Sequence, residues 1–181
     1  MKYLSFAVGP GSEWFWLMLQ CLTLVITLIL VYRQVRHMRD ANMLQALGGL
    51  DERWKSAEFR SFRVAACQRY GDGDLHIGRL EGEVLSFFES LGVYLRRRVF
   101  DKEILWEKYS YYVEHYWIIF RDHVEEFRTK SGDTTWYDQF QYLDRRMSSC
   151  AKKRGIHNYG KKTQQNMETF VRGETDGVAT P

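Results

Sequence analysis

The sequence predicts an all-α protein: one N-terminal transmembrane helix, a small cytosolic antiparallel helical bundle behind it, and a disordered basic tail. Three observations carry that expectation. Residues 14–32 contain no charged side chain, close to the ~20 residues a helix needs to cross a hydrocarbon core. Beyond them, apolar residues recur every three or four positions, the helical period. The 181 residues include only two prolines, and no stretch alternates apolar and polar residues as a half-buried strand would.

The apolar stretch opens on Trp14 and Trp16 and closes on Tyr32, rings that favour the headgroup level. A cleaved signal peptide would place its cations before a shorter apolar core and small residues after it, whereas here Val31, Tyr32 and Arg33 follow. A buried core helix would carry a polar face, and this run is apolar all round except at Gln20, Thr23 and Thr27. Arg33, Arg36 and Arg39 follow directly. They predict a short extracytoplasmic N-terminus over residues 1–13, with the bulk of the chain on the cytoplasmic side of the inner membrane and these arginines at the lipid headgroups. Over residues 33–49 the helix is expected to continue as a stem. Leu28, Val31, Val35, Met38, Asn42 and Gln45 follow a coiled-coil seam, and Gln20 and Thr27 lie seven apart in the span, so span and stem offer a homo-oligomer interface.

Gly48 and Gly49 are expected to end the stem and Asp51 to cap the first helix of a domain over residues 50–150. The Gly71, Asp72, Gly73, Asp74 run reads as a turn. Leu80, Val84, Phe87, Phe88, Leu91 and Leu95 mark the next helix, and Asp101 caps a long one through Leu105, Tyr109, Val113, Tyr116, Phe120, Val124 and Phe127. Trp136, Phe140, Leu143 and Met147 carry the last. Residues 151–181 are basic, then poor in large apolar side chains, and read as a disordered tail.

Composition excludes more than it names. The 26 Lys and Arg nearly balance the 23 Asp and Glu, so no nucleic-acid partner is expected from net charge. Cys21, Cys67 and Cys150 are too far apart for a zinc site and suit a reducing compartment. GDLHIGRL (residues 73–80) lacks the lysine and preceding strand of a phosphate loop, and the serine-hydrolase and zinc-protease signatures are absent. His115 and His123 have Tyr112 and Phe120 three places before them rather than the glutamates of a di-metal bundle, so both are expected to be packed or solvated. No metal and no cofactor are expected. One catalytic pattern survives: Arg69 and His76, at a spacing that resembles the arginine–histidine motif of dimeric helical ribonucleases.

FFESLGVYLRRRVFD (residues 87–101), Tyr116, Trp117, Arg121 and YDQFQYL (residues 137–143), with WKSAEFRSFR after the stem, resemble a bacterial family of small membrane-anchored helical proteins, domain-of-unknown-function family 4760. Where the family pattern has a glycine after paired arginines, this chain has Arg98 and Val99. The resemblance implies an architecture and no activity. On it, Trp54, Phe88, Glu89, Arg96, Arg97, Trp117, Arg121 and Phe140 are the candidate structural or interaction residues. Phe87, Phe88, Leu91, Trp117, Phe120 and Phe140 are expected to share one core, and Glu89 to pair with an arginine of a neighbouring helix such as Arg121. The function expected is protein binding at a lipid bilayer, as an adaptor, regulator or subunit. The alternatives are a tethered nuclease using Arg69 and His76, or an oligomeric pore through Gln20, Thr23 and Thr27.

Overall fold

The computed structural model describes residues 13–177, with the side chains of Arg39 and Asp40 outside the described residues. The expectation for the N-terminus therefore falls almost wholly outside them, as does the Arg39 headgroup contact. Among the described residues there are six helices and no strand: α1 Glu13–Lys55, α2 Ala57–Gly71, α3 Arg79–Arg96, α4 Lys102–Ser131, α5 Asp138–Lys153 and α6 Gln164–Asp176. The chain divides into two compact units, Met1–Gly49 and Leu50–Pro181.

In the first unit, α1 is the one described helix long and apolar enough to cross a membrane by length and composition. Its 43 residues measure about 65 Å, twice a hydrocarbon core. Leu17, Leu24, Leu28 and Leu30 are exposed along it. The hydroxyls of Thr23 and Thr27 donate to the carbonyls of Leu19 and Thr23, at 2.9 and 2.8 Å, so their protons are used within the helix rather than held ready for a neighbour.

The helix does not stop at Gly48 and Gly49. It runs to Lys55, because Leu50 and Trp54 are buried in the second unit and that burial outweighs the ~1 kcal/mol each glycine costs a helix. The break falls at Ser56, whose hydroxyl caps α2 by accepting from the Phe59 amide. Asp51 caps nothing; it accepts from the Tyr109 hydroxyl and pairs with Lys55 and Lys108.

In the second unit α3 packs on α2 and α5, α4 on α5, and α6 on α2. Phe59, Phe87, Phe88, Leu91, Tyr116, Phe120, Phe140 and Phe170 are fully or almost fully buried. Trp54 is the hub, its ring 5.1 Å from Phe87, 4.6 Å from Tyr112 and 6.0 Å from Tyr109. Phe88 stacks on Phe140 at 4.7 Å, with the half-buried Trp117 edge-on to Phe140 at 5.1 Å.

Three helix ends share one closure. Asp74 donates its amide to the Arg69 carbonyl, Ile156 to Ala151 and Val99 to Tyr94, each over the shorter bond from the residue before, the Schellman arrangement that needs a left-handed residue. Gly73 and Gly155 fill that place after α2 and α5; after α3 it is Arg98, with φ 57.

Over residues 151–177 the structure is folded, not the disordered tail expected. α5 continues to Lys153 and α6 follows, with Met167, Phe170 and Glu174 buried. Phe170 fits between His115 and Tyr116, at 4.5 and 5.3 Å, so two apolar side chains one turn apart suffice because a slot awaits them.

Candidate functional site

Within the family-like segments, Glu89, Gly92, Arg96, Gln139 and Phe140 meet at a joint between α3 and the start of α5. Gly92 lies so close to Gln139 that any Cβ there would overlap the Gln139 carbonyl. One turn back on α3, the Glu89 carboxylate accepts from the Gln139 and Phe140 amides at 3.2 and 2.8 Å. These are orphan donors of the first turn of α5, so a side chain from another helix supplies the cap that Tyr137, at φ 57, does not. Burial pushes the Glu89 carboxyl above its ordinary range against the pull of these amides. Glu89 is thus not paired with Arg121, which is exposed and has Asp122 as its partner at 3.2 Å; a backbone helix end took the carboxylate instead. Arg96 donates to Gln139 Oε1 at 3.2 Å and lies 3.9 Å from Asp138. Val93, Arg96, Arg97 and Gln139 line a shallow hollow of about 380 Å³.

Arg69 and His76 have separate employments. Arg69 Nη1 holds Glu81 Oε1 at 2.6 Å, and Glu81 Oε2 accepts from the Gly78 amide at the start of α3. Glu81 is completely buried, so Arg69 neutralises a cap rather than facing a substrate. His76 is exposed, its Nδ1 3.2 Å from the Asp74 carbonyl. With Leu75, Ile77, His123, Glu126, Phe127 and Lys130 it lines an open cleft of about 310 Å³. There Lys130 pairs with Glu126 at 2.6 Å.

Two buried networks escaped the sequence reading. In the first, Arg63 on α2 holds both carboxylate oxygens of Glu174 on α6 at 2.9 and 2.8 Å. Its guanidinium lies 4.1 Å from the centre of the Trp54 ring, and the Cys67 sulfur is 3.8 Å from the Tyr116 hydroxyl. Burial pushes the Cys67 thiol up to about 12, so it is inert. In the second, Glu114 accepts from the Gly160 amide at 2.6 Å and pairs with Lys162 at 3.1 Å, pinning residues 154–163. Beside it, burial pushes the Asp144 carboxyl up to about 6, Glu114 adding to the rise and Tyr159 opposing it. His115 is packed, as expected: it lies under Phe170, its Nδ1 2.7 Å from the Tyr111 carbonyl, and burial depresses its pKa. Among the described residues no three His, Cys, Asp or Glu are placed to hold a metal ion.

Fold and site together define an all-helical domain whose inward charges are engaged in caps and pairs, with one helix among the described residues apolar enough to cross a membrane. Residues 80–147 match the family model described as Domain of unknown function (DUF4760). The match spans α3, α4 and most of α5, including the α3–α5 joint. No curated protein and no solved structure matches the chain.

Proposed function

We propose that the protein is a single-pass membrane protein with its N-terminus outside, whose helical domain acts on the cytoplasmic side by binding another protein, as an adaptor, regulator or subunit. The observation that carries this is the use of its charges. Arg69, Glu89, Arg63 and Glu174 each end on an internal partner, while Arg97 lies exposed and Arg96, also exposed, makes only surface contacts to Gln139 and Asp138. Groups so engaged hold a shape; exposed ones remain to meet a partner. The uncharged residues 14–32, followed by exposed Arg33 and Arg36, support the anchor and its orientation.

The test is cross-linking in intact cells, then purification in mild detergent, comparing the chain with its Arg96→Ala/Arg97→Ala variant. One specific protein recovered with the parent and lost with the variant supports the reading. Recovery of the protein alone with both favours self-association through α1. The nuclease alternative has one supporting observation, the placement of His76 and His123 in one cleft. RNA cleavage by the purified chain that is lost in His76→Ala would put it first.

A further inference from the structure

Between Arg145 and Met167 the chain carries seven Lys or Arg and no Asp or Glu. This stretch is folded: the Schellman closure at Gly155 ends α5, and Glu114 pins the next turn through the Gly160 amide and Lys162. Lys152, Lys153, Arg154 and Lys161 are exposed on the corner so formed, and Ile156 stands 44 % exposed between them. In a Schellman closure the residue after the left-handed glycine commonly turns back to cover the helix; here that residue is an isoleucine left outside.

We propose that this corner is a second membrane contact, binding an anionic phospholipid surface through its cations with Ile156 entering the headgroup boundary. An apolar tip ringed by cations matches such a surface, which attracts each nearby Lys or Arg and admits apolar side chains a few ångströms deep. Single-stranded nucleic acid, the other polyanion, is bound with aromatic faces for base stacking. Of the two aromatic rings at this corner, Trp106 already has the Arg154 guanidinium 5.4 Å from its ring centre, and the half-buried Tyr159 lies against it at 5.8 Å. The proposal rests on the reading that α1 anchors the chain, because a tether raises the effective concentration of the bilayer.

The experiment is hydrogen exchange on the full chain in nanodiscs of phosphatidylcholine alone and of phosphatidylcholine with phosphatidylglycerol. Amides of residues 152–162 are expected to exchange severalfold more slowly in the anionic discs. That protection should vanish with Lys152→Gln/Lys153→Gln/Arg154→Gln, weaken with Ile156→Ser and fade as salt is raised. Equal exchange in both discs, with residues 14–32 protected, overturns the proposal and leaves the anchor standing. Residues 14–32 unprotected in both would remove the anchor itself, and the proposal with it. Protection by an added oligonucleotide in neutral discs, without a response to anionic lipid, would give the corner to nucleic acid instead.

Discussion

Arg63 and Glu174, 111 residues apart in sequence, form a two-pronged ion pair inside the helical domain, both donor–acceptor distances under 3 Å. The pair ties α6 to α2 in a region where each side chain is almost wholly removed from solvent. Removing one partner leaves a buried charge without a counter-ion. Glu174→Ala is therefore expected to cost about 3–5 kcal/mol in denaturant unfolding, and Arg63→Leu/Glu174→Leu much less. Equal losses would mean the charges themselves stabilise the fold.

Asp144 sets a pH dependence. Its folded pKa of about 6 lies above the ordinary value of 3.8. The stabilisation linked to its proton is complete below about pH 4 and is lost as pH rises through about 6. Unfolding free energy is thus expected to fall across that window by up to about 3 kcal/mol. Asp144→Asn should flatten this slope and raise Tm at pH 7. A slope unchanged by the substitution would assign it to other carboxyls such as Glu89.

Glu89 as a cap makes a different forecast from Glu89 in an ion pair. Glu89→Ala strands the Gln139 and Phe140 amides and should cost on the order of 2 kcal/mol, with Glu89→Gln between it and the parent. Arg121→Ala should stay within about 0.5 kcal/mol. A large loss from Arg121→Ala would restore the ion-pair reading.

Arg98 occupies a left-handed position that favours glycine. Arg98→Gly relieves strain of about 1 kcal/mol while giving back part of it as chain entropy, so stability should hold or rise slightly; Arg98→Val should lower it. At Gly92 the direction reverses: Gly92→Ala drives a methyl into the Gln139 carbonyl and should cost about 1–3 kcal/mol. Thermal melts of the three variants in one detergent decide both points.

These sites also show what a single sequence exposes. Periodicity located α3, α4 and α5 and gathered Phe87, Phe88, Leu91, Phe120 and Phe140 into one core, because each signal lies within a few turns of itself. Gly48 and Gly49 misled because local propensity favours a stop there, while burial of Leu50 and Trp54 continues the helix. α6 was missed because its stability comes from Arg63, His115 and Tyr116, none near it in sequence. The Glu89 partner was misjudged because charge suggests a cation, whereas the acceptor was needed by a helix end that no residue pattern marks. The departure at Arg98 was legible as a missing glycine, and its meaning needed the backbone angle.

The distance along the chain between Arg63 and Glu174 is also an interval of time. At synthesis rates of about 5–20 residues per second, Arg63 precedes its partner by roughly 6–22 s. Within that interval His115 and Tyr116 also precede Phe170, so the slot is made before the side chain that fills it. The nascent chain therefore passes through a stage in which α1, long and apolar enough to cross a membrane, is complete while the core of its helical domain is unfinished.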